Sequence, residues 1–565
     1  MSSAYGYNDA NERTRNTQPD GSFWVYQYDS LGQVISGKKY WSDWTPVAGQ
    51  QFEYSFDDIG NRTATKVGGD SAGANLRSAT YGANSLNQYT NRTVPNAADV
   101  IGVANALATV NVNGSSTYRR GEYYQNALTI DNSATNVWQV ISNYATLSGT
   151  NQTNVGYLFS PKTPETFGLD ADGNQTSDGR WFFTWDGENR LISMVSSNVA
   201  DGGKRKLNIV YDSGGRRVQK TTFSWVSGAW QTNTDVEYVY DGWNLIAEVN
   251  ATNSASVRSF IWGLDLSGSM QGAGGVGGLV AINSAGNGVH FAAYDGNGNV
   301  ADLINATNGA TSAQYEYGPF GEVIRSTGPM AKLNPFRFST KYQDDESDLL
   351  YYGYRYCTAS SGRWLNRDPL GDAAFFSQYI RDNSLEDWGE LTTKAIRAGY
   401  DFVANNPIIR TDLLGLESVG ISVTTVIRPP DAQSGVKTIH ALSVDEYGAI
   451  GNVSTFTGTT IVLGLPVTGV STFRQWASGS HPKITVTMTV TSHSAALPSG
   501  YDIDYNLDFT LDFCSRRGKL SGVHDQYPSY SARVKGGTIY DWQQKGLWVN
   551  LWGPGNINPS VSFTF

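Results

Sequence analysis

The feature that most constrains this chain is a short phrase that keeps returning. An aromatic residue precedes Asp, a turn rich in Gly or Asn follows, and an apolar residue opens the next extended run. The phrase reads Tyr28-Asp29-Ser30-Leu31-Gly32-Gln33-Val34, Phe56-Asp57-Asp58-Ile59-Gly60-Asn61-Arg62, Trp185-Asp186-Gly187-Glu188-Asn189-Arg190-Leu191 and Tyr211-Asp212-Ser213-Gly214-Gly215-Arg216-Arg217. Further copies stand at Tyr240-Asp241-Gly242-Trp243-Asn244, Tyr294-Asp295-Gly296-Asn297-Gly298-Asn299 and Tyr317-Gly318-Pro319-Phe320-Gly321-Glu322. Each predicts a strand, a tight turn and a second strand: the Asp carboxylate can accept the turn amides, and Gly or Asn takes the positive φ that the turn needs. One hairpin cannot bury its own face. Stacked side by side, such hairpins make a continuous sheet that can coil into a shell.

Composition agrees with an all-β chain. Gly 62, Tyr 32 and Trp 16 stand beside only 16% charged residues, a balance that suits pleated surfaces and tight turns, and 12% aromatics exclude disorder. The net charge of −10 argues against nucleic acid as a partner, since phosphate binding needs clustered cations and the nearest group is Lys204-Arg205-Lys206 beside Arg216-Arg217. The whole acidic surplus lies before residue 417: 31 basic and 41 acidic residues precede it, and 10 of each follow. Cys357 and Cys514 are too few for a disulfide framework or a zinc site, and no signal peptide or transmembrane segment is read. Export by a route independent of a signal peptide, or synthesis in the cytoplasm followed by delivery, is the expectation. The opening directly into repeat-like sequence raises the expectation of a missing N-terminal shell part.

Those phrases, together with Asn334-Pro335-Phe336-Arg337-Phe338-Ser339-Thr340-Lys341-Tyr342, Tyr351-Tyr352-Gly353-Tyr354-Arg355-Tyr356 and Gly362-Arg363-Trp364-Leu365-Asn366-Arg367-Asp368-Pro369-Leu370-Gly371, closely resemble the YD-repeat proteins and their RHS-associated core. The resemblance covers roughly residues 1–416. It implies a YD-repeat β-shell over 1–333, an RHS-associated core over 334–416 that cuts itself, and a variable C-terminal domain over 417–565 held as enclosed cargo, often a toxin. It also implies the site. Asp368 and Asp412 would be an aspartyl dyad, Arg367 would hold or polarise the peptide, and the cut would fall between Leu416 and Glu417, making the core a single-turnover intramolecular protease. Here position 413 is Leu where the family has Pro, and the segment between the two Asp residues is longer than usual. The chemistry is general: two neighbouring carboxyls share a proton, so one can activate water while the other protonates the leaving nitrogen. Asp-Pro and Asp-Leu-Leu-Gly are also ordinary turn sequences.

A helical insertion is expected over 384–400, where Ser384-Leu385-Glu386-Asp387 resembles a capping box and Trp388, Leu391, Ala395 and Ala398 share a helical face. Past residue 417 the pattern turns strictly period two. Ile484, Val486, Met488 and Val490 alternate with Thr, and Tyr501 through Phe513 alternate apolar residues with Asp, Asn and Thr, which predicts an antiparallel hairpin. Val561, Phe563 and Phe565 make the final residues a core strand of a β-sandwich or small β-barrel.

No cofactor or metal is expected. Gly272 to Gly278 contains GxGxxG, but a strand and not a helix follows, so no pyrophosphate would meet a helix N-terminus. The row Asp502, Asp504, Asp508 and Asp512 lies on one strand, where alternate residues stand roughly 7 Å apart, too far to share one calcium. His524 and Asp525, in His524-Asp525-Gln526-Tyr527-Pro528, are the single acid–base combination that offers chemistry to the tail. The rival reading from another class is an uncleaved surface adhesion or carbohydrate-binding protein, which would need neither Asp368 nor Asp412.

Overall fold

A computed structural model describes residues 3–196, 199–369, 400–412 and 414–415, together with the backbone of strands within 418–564. It falls into two compact units. Met1–Asp265, Gly274–Asp368 and Ala398–Gly415 form the first; Leu266–Ala273, Pro369–Arg397 and Leu416–Phe565 form the second. The expected helical insertion over 384–400 lies outside the described residues, among which the only helical pieces are single 3₁₀ turns such as Phe402–Asn405.

The first unit is built from two long antiparallel sheets whose strands follow chain order. Nine strands run from Ala4–Tyr7 to Tyr89–Arg92 and then Glu165–Thr166; fourteen run from Gly168–Leu169 to Val323–Thr327. Residues 93–164 interrupt the first sheet with a module of two small sheets around Val110, Val112, Tyr124 and Ile141.

The turns explain the repeat. Asp29 Oδ1 accepts the amides of Leu31 and Gln33 at 2.9 Å each, and Oδ2 accepts the Gln33 side chain at 2.8 Å. Asp57, Asp186, Asp212 and Asp295 repeat this grip, with Asn61, Arg190, Arg216 and Asn299 four residues on. Gly32 sits at φ 76° within the turn, where a Cβ would be strained. Further turns of the kind escaped the sequence reading: Asp70 on Ala72 and Ala74, Asp170 with Asn174, and Asn8 and Asn84, whose amide oxygens do the carboxylate's work, Asn84 on Leu86 and Gln88. Two phrases depart from the pattern. Asp241 faces Asn244 across a two-residue turn, and at Gly318 the carboxylate comes from the far end, Glu322 accepting the Phe320 amide at 3.0 Å.

Residues 334–366 add four short, almost wholly buried strands, Tyr342–Gln343, Leu350–Tyr351, Tyr356–Thr358 and Arg363–Trp364, in one sheet. This plug grips the turn tips of both long sheets. Arg363 donates to Asn61 Oδ1 at 2.6 Å and to the Asn87 carbonyl at 3.0 Å; Thr340 donates to the Gly298 carbonyl at 2.6 Å, and Asn299 accepts the Ser339 amide at 2.7 Å. From the returning segment, Asn405 and Asn406 donate to the Gly60 and Gly32 carbonyls. Arg217, 1% exposed, pairs with Asp344 at 2.7 Å among Tyr238, Tyr342 and Tyr351, and Lys220 reaches the same Asp344 at 2.7 Å. The long sheets are further joined by Glu316, which pairs with Lys39 and Arg325, and by Tyr54 against Phe320.

The second unit holds two open sheets. Lys483–Ser492 and Ile503–Asp512 form the expected antiparallel hairpin, with Thr487 opposite Asp508 in a six-stranded sheet. Ser560–Thr564 is the middle strand of the other sheet, parallel to Ser418–Ile427 and antiparallel to Ser531–Val534. Both sheets keep free edges in the described strands, so the small closed barrel, one of the two expected forms, is not what they make.

Truncating Arg217 to Met leaves buried Asp344 with Lys220 as its remaining cation. It should cost about 3 kcal/mol, read as a lowered urea midpoint, and the double variant Arg217→Met, Asp344→Leu should not recover the loss, because Lys220 then keeps only Glu346. Asp212→Ala removes exposed turn bonds and should cost only about 1–2 kcal/mol.

Candidate functional site

Asp368 follows the last plug strand, Arg363–Trp364, and Asp412 lies in the returning segment; they are 5% and 7% exposed. One guanidinium meets both. An Arg355 terminal nitrogen is 2.6 Å from Asp368 Oδ2 and 3.7 Å from Asp412 Oδ2, and the Arg355 plane lies 4.2 Å from the Trp364 ring centroid. Arg355 is carried by a tight reversal: Gly353 sits at φ 108°, and the Tyr352 amide donates to the Arg355 carbonyl at 3.0 Å.

The same arginine holds the chain that leaves the site. Arg355 Nε donates to the Gly415 carbonyl, the Tyr354 amide donates to the Leu414 carbonyl at 3.1 Å, and the Gly415 amide donates to Asp412 Oδ1 at 2.5 Å. Gly415 adopts φ 76°, and a Cβ there would stand 3.1 Å from the Arg355 backbone nitrogen. Residues 414 and 415 are thus fixed on both sides by the plug.

Burial pushes the Asp412 carboxyl up to about 6; Arg355 opposes this, the Asp368 charge adds to it, and the Gly415 amide and Lys341 lower it. Lys341, itself brought down to about 8 by burial against the pull of Asp412 and Asp265, donates to the Gly274 carbonyl at 2.9 Å. The glycine run is therefore a structural clasp: the Gly275 amide donates to Asp265 and the Gly277 amide to Thr340, with Lys341 on Gly274. The Cys357 thiol is buried nearby and raised by burial first and by Asp412 next. Among the described residues no group of three or more His, Cys, Asp or Glu side chains could hold a metal ion.

The cation in contact with both carboxylates is Arg355, not Arg367. Arg367 is half-buried and turns away: its Nε, without a hydrogen-bond partner among the described residues, lies beside Gly173 and the Tyr400 hydroxyl. Arg355 belongs to the Tyr-rich stretch that carried the resemblance, but nothing in its spacing marks it as the bridging cation. Leu413, Leu416 and Glu417, and the tail residues His524 and Asp525, lie outside the described residues.

Comparison with known proteins finds tRNA nucleases and a deaminase toxin. The chain is 27% identical over 251 residues to the tRNA3(Ser)-specific nuclease WapA of Bacillus spizizenii, a match covering 44% of this chain and 9% of that protein. It is 26% identical over 251 residues to the tRNA nuclease WapA of Bacillus subtilis, again 44% of this chain and 9% of the relative. Over 201 residues it is 26% identical to the double-stranded DNA deaminase toxin A of Burkholderia cenocepacia, covering 34% of this chain and 14% of the toxin. The chain thus spans about a tenth of the length of these curated relatives. The matches support the resemblance to RHS-type toxins at the level of the family. No family model matches the chain. Among solved structures, TcdB2-TccC3-TEV and a Photorhabdus luminescens Tc holotoxin pore each match 73% of this chain and 19% of their own at a TM-score of 0.33, with 18% and 17% identity. The architecture above rests on strand pairing, not on these two.

Arg355→Met leaves two buried carboxyls without their shared cation. Arg355 lowers Asp412, so its removal raises that group further, and a raised carboxyl gives up folded-state stability as pH climbs through its titration. The variant's loss of stability relative to the parent chain should therefore be greater at about pH 8 than at about pH 5, measured by urea unfolding at both.

Proposed function

We propose that this chain is the wall and plug of a toxin-type β-shell whose plug cuts its own chain after Leu416, freeing residues 417–565 as enclosed cargo. The observation that carries the reading is the Arg355 clamp: one guanidinium bridges Asp368 and Asp412 while its Nε holds the carbonyl of Gly415, one residue before the proposed cut. A protease acting on its own chain needs that chain held still beside its carboxyls, and the Gly415 amide on Asp412 supplies the second hold.

In this reading Asp412 carries the proton and Asp368 acts as base. Asp368 takes a proton from water as the oxygen attacks the Leu416 carbonyl carbon; Asp412 protonates the amide nitrogen of Glu417, and the C–N bond breaks. The products are a carboxyl at Leu416 and an amine at Glu417. The site is spent once the chain parts, so each molecule turns over once. The similarity to WapA nucleases and to a deaminase toxin supports a toxin-type protein with exchangeable ends; the activity of 417–565 is left unassigned.

Intact mass of freshly purified, denatured protein decides it. The parent chain should give two fragments meeting at Leu416–Glu417, and Asp368→Asn, Asp412→Asn and Arg355→Met a single uncut chain. One uncut species throughout would remove the protease and favour the adhesive reading. If cleavage is slow enough to follow after refolding, its rate should be highest below about pH 6 and fall about tenfold per pH unit above, as Asp412 loses its proton.

A further inference from the structure

A cavity of about 510 Å³ opens in the first unit where three pieces meet: the inserted module, the start of the fourteen-stranded sheet, and the plug. It is separate in function from the carboxyl pair, sharing only the Trp364 indole with it. Arg180 lines it. The Arg180 guanidinium lies 5.3 Å from the Phe159 ring centroid and 4.8 Å from that of Trp181, so aromatic faces hold the cation in place. Arg180 Nε is buried, and among the described residues the guanidinium makes neither hydrogen bond nor ion pair. Burial depresses its basicity, with Asp348 and Asp178 acting on it only at longer range. Arg180 is half-buried as a residue; its Nε is the buried donor, and that donor costs free energy until an acceptor meets it.

Around Arg180 the cavity combines two kinds of surface. Trp138 and Tyr157, stacked at 5.3 Å, give a flat apolar side, while Asp178, Ser347 and Ser360 give acceptors and hydroxyls. Asp178 spends Oδ1 on the Arg180 and Trp181 amides, and Oδ2 accepts nothing among the described residues. Glu165 is committed elsewhere, to Arg92 and to the Gly179 amide.

We propose that this cavity binds an acidic sugar of the uronic-acid type. The Arg180 fork takes the carboxylate in paired charge-assisted bonds, the aromatic side receives the apolar face of the ring, and Asp178 with the serines meets the hydroxyls. A flat aromatic acid would satisfy Arg180 but leave those polar groups dry, which favours the sugar. Four carboxyls line the cavity: Glu165 is paired with Arg92 and Asp345 with Arg337, while burial raises the other two, Asp178 up to about 6 with Glu165 adding, and Asp348 upward as well. Asp178 therefore gives up part of its charge at about pH 6. The site needs no cleavage and is independent of the dyad.

The test is titration calorimetry on the full chain carrying Asp368→Asn, at about pH 6, with digalacturonate and trigalacturonate against the matching neutral galactose oligomers. The acidic oligomers should bind at least about tenfold more tightly than the neutral ones, and Arg180→Gln should erase that preference. Equal binding of both sets, no binding of either, or an unchanged preference in Arg180→Gln overturns the proposal. Should Arg180→Gln fail to fold, shown by its circular dichroism melt, the comparison of acidic with neutral oligomers on the Arg180 chain decides alone. Benzoate binding as tightly as the sugars would also overturn it, since the hydroxyl contacts would then count for nothing.

Discussion

The rest of the first unit depends on a carboxylate laid across a turn. One Asp oxygen takes two backbone amides and the other takes the side chain four residues on, so a loop such as Asp29 to Gln33 that would otherwise be loose acquires a fixed shape. Because the shape is fixed, the strands leaving it have a fixed register, and the fourteen-stranded sheet and the first eight strands of the nine-stranded one are wound in chain order. The fixed tips then become a surface in their own right. Asn61 and Asn299, already closing their own turns, present oxygens that Arg363 and the Ser339 amide use to seat the plug.

The plug is held chiefly by charge, which is costly to bury and specific once buried. Arg217 and Lys220 reach across to Asp344, and Arg355 reaches Asp368 and Asp412, each within a few per cent of full burial. Such pairs add little net stability over apolar residues of the same volume, but an unmatched partner is heavily penalised, so they fix one seating and exclude others. The penalty has a chemical side. At the Asp368–Asp412 pair burial outweighs Arg355 and Lys341, and Asp412 is raised to about 6, so it keeps its proton into mildly acid pH. An arrangement that seats the plug thereby also leaves a carboxylic acid beside a carboxylate.

Much of this was legible in the sequence, and what was missed has physical reasons. The Asp turns were readable because their bonds are local, within four residues. Asn84 was missed because an amide oxygen can replace a carboxylate where no charge is needed, so the aromatic-Asp signal vanishes while the geometry persists. The two carboxyls were singled out through the family resemblance, which gave Arg367 the role of holding or polarising the peptide and did not mention Arg355, the cation in contact with both carboxyls. Adjacent residues on an extended chain point to opposite sides, so adjacency to Asp368 sends Arg367 toward Gly173 and Tyr400.

The sequence by itself determined the all-β class, the turn chemistry and the hairpin of the tail, because each is set by periodicity or by groups a few residues apart. Only the tertiary structure decided which arginine meets which acid, which turn tips seat the plug, and that Arg180 lies over two rings with its buried Nε unmet by an acceptor among the described residues. Those facts join residues as much as 374 positions apart, as Asn406 is joined to Gly32. Burial and the sign of the nearest charge are properties of such meetings, and no local pattern carries them.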